Sequence, residues 1–296
     1  THWVQENRNA AARDAALALA MPPPEPLQTV AYSSAGRTLV IGGPDAALAC
    51  ADRLAVALPV TVLLTGVTGA PLREYDTWAC GEVEVSGWLG AFDVRWRDPS
   101  RTALLREAKF DLPLYLTATP LVSAHQKPHG YFAPGQDEAA LEAAIGNLLE
   151  MTGDFEKPKY FRYKERLCAH SRNRKVGCTS CIDICSAKAI ESAGDGIRVN
   201  PYLCAGCGAC TTVCPSGALA YAYPGAPYSG ERLRGMLATY ANEGGLDPFI
   251  LFHGEGQGSE LVAALDGESA AGGGRRGLPT RAIPMRLHHM ASTGID

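Results

Sequence analysis

Two hydrophobic patterns alternate along the first half of this 296-residue chain. Apolar runs bounded by turn residues predict strands at Arg37 to Ile41 and Val60 to Leu64. Gly42-Gly43-Pro44 between them predicts a turn, and Asp45 to Leu58 a helix. Strand, helix and strand make a βαβ unit, which implies a parallel sheet. Gly81 to Ser86 and Gly90 to Arg97 carry the alternation expected of strands with one face exposed, and Asp111 to Ala118 returns to the sheet. Gln136 to Glu150 is an amphipathic helix with Leu141, Ile145, Leu148 and Leu149 on one face. Ahead of all these, residues 8–20 favour helix, and Pro22, Pro23, Pro24 and Pro26 stop it and make a stiff linker, so the opening reads as a solvated or docking arm. Near the end come a helix over Glu231 to Asn242, a strand over Pro248 to His253, a loop, a short helix over Glu260 to Leu265, a flexible loop over Gly272 to Gly277 and a strand over Ala282 to Leu287. These form a second, partial α/β unit.

Composition narrows the function classes. With 27 Lys and Arg against 31 Asp and Glu, the net charge of −4 argues against a general nucleic-acid binder. No apolar run approaches the roughly 18 residues of a membrane span. The chain opens at Thr1 without a charged-then-apolar leader, so no secretory signal is visible, and a cytoplasmic location is expected. Residues 157–175 depart from the rest. Lys157, Lys159, Arg162, Lys164, Arg166, Arg172, Arg174 and Lys175 face only Glu165, a net of +7 that leaves −11 elsewhere. That stretch reads as a solvated face or as a docking surface.

Eight of the ten cysteines lie between Cys168 and Cys214, which points to a metal site in a reducing compartment rather than to disulfides. Cys204-x2-Cys207-x2-Cys210-x3-Cys214-Pro215 is the full bacterial ferredoxin run. Three thiolates on one tight loop wrap three corners of a cubane, while the fourth turns away to a second cluster. Gly206 and Gly208 let the loop pass close to inorganic sulfide. Cys178, Cys181 and Cys185 repeat Cys207, Cys210 and Cys214 at an offset of 29 residues. That offset puts Lys175 where the first ligand should stand, and Cys168 is the available replacement. The expected sets are Cys168, Cys178, Cys181 and Cys214 for cluster A, and Cys204, Cys207, Cys210 and Cys185 for cluster B, two [4Fe-4S] clusters in all. Without Cys168, cluster A would be three-iron. Zinc also accepts four thiolates, but it does not call for the 2-2-3 spacing, the proline or the duplication. Ser186 replaces the proline after Cys185, so that turn is expected to be looser. No catalytic residue is expected.

The remaining signals are weaker. Gly42-Gly43-Pro44 sits where a dinucleotide fingerprint would lie, but the glycines are incomplete and Thr65-Gly66 replaces the acid, so a packing turn competes with FAD or nicotinamide binding. Cys50 reads as a small buried hydrophobe. His125, His129, His288 and His289 read as surface or locally hydrogen-bonded histidines.

Glycines 42 and 43, the segment EVEVSGWLGAF and the cysteine insert resemble the flavin and iron–sulfur subunit of heterodisulfide reductase. PFILFHG and AIPMRL resemble the small electron-transfer subunit that partners it. GYFAPGQ, FEKPKYF, LCAHSR and GCTSCIDIC are similar to bacterial cytoplasmic polyferredoxin-like proteins linked with formate dehydrogenase. The resemblance implies redox protein partners, a formate dehydrogenase or other dehydrogenase among them.

The fold class expected is therefore α/β: a degenerate Rossmann-like domain (31–135) behind a helical arm and Pro-rich linker (1–30), a helix and basic linker (136–165), a ferredoxin-like dicluster domain (166–224) and a small α/β unit (225–296). The function expected is one-electron transfer between partner proteins rather than catalysis by the chain itself. A flavin-containing oxidoreductase subunit is the first alternative, tested by extractable flavin. A structural or assembly protein stapled by its clusters is the second, tested by whether low-potential donors reduce them. The basic residues Arg172, Arg174 and Lys175 beside Cys168 are expected to raise the potential of the adjacent cluster.

Overall fold

The structure, a computed structural model, describes residues 2–20, 28–117, 119–172, 175–254, 256–270 and 278–287. The Pro22 to Pro26 linker, Arg174, the Gly272 to Gly277 loop, His288 and His289 lie outside the described residues, as do the side chains of Arg172 and Lys175. Helix and strand take nearly equal shares, 30% and 31%, consistent with an α/β class.

The chain begins with α1 (His2–Leu17) and β1 (Thr29–Ser34). Next, β2 (Thr38–Gly42) is buried at every position, the mark of a strand covered on both faces. Helix α2 (Pro44–Leu54) starts immediately behind it. Pro44 occupies the first turn, where a missing N–H costs nothing, and Asp45 sits at the positive end of the helix dipole. Ala47, Cys50, Ala51 and Leu54 make its buried face, and β3 (Val60–Thr65) returns beside β2. Then come β4 (Asp76–Cys80), β5 (Val83–Trp88), β6 (Ala91–Asp98), β7 (Arg101–Phe110), β8 (Leu112–Tyr115), α3 (Glu138–Glu150) and β9 (Gly153–Pro158). The first free N–H groups of α3 donate to the carboxylate of Asp137, at 2.9 Å from Ala139 and 3.1 Å from Ala140.

Four of these strands form an all-parallel sheet in the order β4-β3-β2-β8, and β5-β6-β7 form an antiparallel one. The pleat divides β2 between two cores. Val40 joins Val62, Leu64 and Leu114 against Leu54 of α2 and Leu148 of α3. Leu39 and Ile41 join Leu63 and Tyr115 against Phe92, Val94 and Trp96 of the antiparallel sheet. The result is three layers: helices, parallel sheet, antiparallel sheet. Buried Asp111 ties the layers at the β7–β8 corner. Its carboxylate accepts from the N–H groups of Ala35 and Arg37 and from the Arg37 guanidinium, the shortest contact being 2.7 Å.

The second half holds β10 (Phe161–Tyr163), a 3-10 turn at Glu165–Leu167, β11 (Ser171–Arg172), β12 (Lys175–Val176), α4 (Ser180–Ile184), β13 (Ile190–Ala193), β14 (Gly196–Val199), α5 (Ala209–Thr212) and β15 (Leu219–Tyr221). The 29-residue repeat survives as structure: the two short helices start at Ser180 and Ala209, and the strands after them at Ile190 and Leu219. The chain continues through α6 (Ala226–Asn242), β16 (Phe249–His253), α7 (Gln257–Ala270) and β17 (Ala282–Arg286), with β16 and β17 parallel. Ala12 and Ala16 of α1 are buried with Met236, Tyr240, Ile283 and Met285, so the opening helix docks on this last unit.

The structure departs from the sequence-based expectations in identifiable ways. Helix α6 begins five residues before Glu231, because Pro227 fits its first turn. Helix α7 extends well beyond the expected Glu260 to Leu265. Strands β4, β7 and β9 carry no clear alternation of their own. In β7, Leu104 and Leu105 are exposed among charged residues, so the strand is held by its register with β6 rather than by its own pattern.

Candidate metal centre

The cysteine loops are shaped by backbone that only certain residues permit. Gly206 and Gly208 have φ of +77° and +76°, in the left-handed region. At Gly206 a Cβ would lie 2.7 Å from ring carbons of Tyr160, so the loop can press against that ring only without a side chain. Gly177, just before Cys178, is equally confined: a Cβ there would lie 2.7 Å from the Ala169 carbonyl oxygen. These contacts fold the cysteines inward while aromatic and backbone surfaces close the outside.

Two cavities result. One is lined by Cys168, Cys178, Cys181 and Cys214, together with Tyr163, His170, Ile197, Pro215, Ala218 and Leu219. The other is lined by Cys185, Cys204, Cys207 and Cys210, with Phe161, Ile190, Val199 and the glycines at 206 and 208. Each cavity draws three cysteines from one stretch and the last cysteine of the other, as the ferredoxin spacing requires. All eight thiols are free of disulfides. Among the described residues no three Cys, His, Asp or Glu side chains converge tightly enough for a single metal ion. The four thiols of each set line an apolar cavity. By donor chemistry, shape and apolar lining, the residues fit an iron–sulfur cluster.

Hydrogen bonds to sulfur are already in place. The Ala189 N–H donates to Cys185 Sγ at 3.2 Å, and the Leu219 N–H to Cys214 Sγ at 3.5 Å. Burial pushes the thiols of Cys181 and Cys204 up, and that of Cys210 up to about 12. For Cys214 burial is the largest single influence, yet hydrogen bonds from Leu219, Ser216 and Ala218 together hold the thiol below its ordinary value. Dry thiols of this kind are poor anions by themselves and good ligands once a cation replaces the proton.

Partners that the sequence did not single out complete the surroundings. His170 is 1% exposed, bridging the Cys178 carbonyl at 2.9 Å and the Ser192 hydroxyl at 2.7 Å. Tyr163, its hydroxyl hydrogen-bonded to Cys168 and pushed up to about 12 chiefly by burial, accepts from the Ile197 N–H at 3.1 Å. Lys157, counted among a solvated or docking face by charge, turns inward instead. Its ammonium donates to the carbonyls of Tyr202 at 2.8 Å and Cys204 at 2.9 Å, and burial pushes its pKa down to about 8. The Tyr202 carbonyl also accepts from the Tyr32 hydroxyl at 2.8 Å, and the Tyr202 ring stacks on Trp88 at 4.6 Å. Ser186, the residue in place of proline, is held by the Gln126 N–H, which donates to its carbonyl at 3.1 Å.

Other candidates fall elsewhere. Gly42 lies at the end of β2, where a Cβ would meet the Leu116 side chain at 3.0 Å, a packing role. Cys50 and Cys80 are buried in the two cores of the layered half. His125 and His129 are exposed, His129 edge-on to Tyr32 at 6.2 Å.

Residues 176–218 match the family model of the 4Fe-4S dicluster domain. The match supports a ferredoxin-like iron–sulfur protein that binds 4Fe-4S and serves electron transfer. Cys168 lies outside the matched span, although it lines the same cavity as Cys178, Cys181 and Cys214. No curated protein matches the chain. Among the described residues no helix is long and apolar enough to cross a membrane.

Proposed function

We propose that this chain carries single electrons between partner proteins through two [4Fe-4S] clusters, one held by Cys168, Cys178, Cys181 and Cys214, the other by Cys204, Cys207, Cys210 and Cys185. The observation that carries this reading is the division of eight thiols into two sets of four around two apolar cavities. When bound, the clusters supply reversible one-electron transfer at low potential. The residues supply the rest. The thiolates bind, the N–H groups of Ala189 and Leu219 spread charge from sulfur, and Phe161, Ile190, Ile197 and Leu219 keep water away.

In this reading the chain divides near residues 30, 135, 165 and 224. The layered half is a degenerate Rossmann-like platform that holds the dicluster domain, and the last unit is a partial α/β module. The partners are redox proteins, a formate dehydrogenase or another dehydrogenase among them, in the reducing cytoplasm where bare thiols survive. Iron and sulfide analysis of protein prepared without oxygen tests the count: two clusters require about eight of each per chain. Stoichiometric zinc, or four irons, would sink it.

A further inference from the structure

Lys157 is a cation in an unusual place. It comes from β9, outside the cysteine loops, and passes under the segment that leads into Cys204. Two of its three donors are spent on the carbonyls of Tyr202 and Cys204, and its ammonium stands 5.2 Å from the centre of the Tyr32 ring. Among the described residues it forms no ion pair with a carboxylate, unlike Arg37 or Arg53. A half-buried ammonium without a counter-charge is costly. The negative charge within reach is the one that four thiolates and their cluster would bring to the cavity that Cys204 lines.

We propose that Lys157 is a positioning and tuning residue for the cluster at Cys185, Cys204, Cys207 and Cys210, raising the reduction potential of that cluster above the value it would have without the charge. The proposal rests on the cluster reading above. One electron from a reduced partner protein adds one negative charge to the site. No bond forms or breaks at Lys157, and its proton stays in place. The fixed positive charge lowers the energy of the reduced state more than that of the oxidised state, since the reduced state carries the larger negative charge. Lys157 reaches this set through the backbone, by its bond to the Cys204 carbonyl at 2.9 Å.

The test is a redox titration followed by EPR on full-length, oxygen-free protein, with iron counted in every sample. Lys157→Gln keeps a donor and loses the charge, Lys157→Met loses both, and Lys157→Arg keeps the charge. The expected result is full iron in at least one neutral variant, one midpoint moved to a more negative value, the other unmoved, and Lys157→Arg close to wild type. The moved signal must be the one abolished by Cys207→Ser. Full iron with both midpoints unchanged in the neutral variants would overturn the proposal and leave the cluster reading intact. Loss of iron from both neutral variants would overturn it by giving Lys157 a purely structural role. Wild-type protein without iron–sulfur signals would overturn both.

Discussion

At the scale of single residues, the same chemical group serves opposite ends according to its surroundings. Cys50 and Cys80 are buried among aliphatic and aromatic side chains, and burial pushes both thiols up, that of Cys80 to about 11. A raised thiol pKa means little thiolate at neutral pH, and the thiolate is the nucleophile. In the folded protein at pH 8 an alkylating reagent should therefore leave both untouched, and Cys80 should begin to react only as pH approaches 11 or when the chain unfolds. Mass spectrometry of the alkylated peptides reads this directly; prompt labelling of Cys80 at pH 8 would contradict it. Cys168 faces a cavity instead, with three other thiols. Replacing it by alanine should cost one iron and leave a three-iron EPR signal, or empty that site, while the site at Cys204 keeps its four. An unchanged spectrum with full iron would remove Cys168 from the ligand set.

At the scale of elements, loops do what the regular structure cannot. The helices α4 and α5 are five and four residues long, far too short to be stable alone. Their cysteine loops are held by neighbours: Tyr160 against Gly206, Gln126 on Ser186, and Lys157, Tyr32 and Trp88 on the Tyr202 segment. Gly206→Ala tests this most sharply. The new Cβ needs space that Tyr160 fills, on a backbone with φ of +77° that costs a side chain about 1–2 kcal/mol. Its iron should fall by about half, from the site at Cys204, with the site at Cys168 kept. Wild-type iron and stability in that variant would show that the contact with Tyr160 yields freely.

At the scale of the whole molecule, the cores have different makeups. The layered half buries strands and helices around two aliphatic and aromatic clusters. The core around the cavities includes Phe161, Ile190, Ile197 and Leu219 but is otherwise supplied largely by cysteines. Two-stranded pairs such as β10–β15 and β13–β14 are marginal without more to pack on. Removing iron with a chelator should therefore unfold residues 160–222 and spare the layered half. Hydrogen exchange gives the readout: amides of β13 to β15 lose protection while those of β2 and β3 keep it. Equal loss in both regions, or none in either, would count against this division.

What the chain alone determined lies in patterns that are local. Spacing of cysteines, glycines beside them and the 29-residue repeat stand in contiguous sequence, so the grouping of cysteines that now line each cavity could be read there. The apolar runs at Arg37 to Ile41 and Val60 to Leu64 likewise announced neighbouring parallel strands, which the structure pairs as β2 and β3. What only the tertiary structure decided lies in meetings between distant segments. Strand β1 pairs with β9 across more than a hundred residues, and neither strand's own pattern names its partner. Through that pairing Lys157 is carried inward to Cys204, 47 residues away in the chain, although its charge and its basic neighbours marked it for solvent. His170 and Tyr163 were invisible for the same reason. A side chain's charge and polarity are fixed by its type, but its exposure and its partners are fixed by what the rest of the chain packs against it.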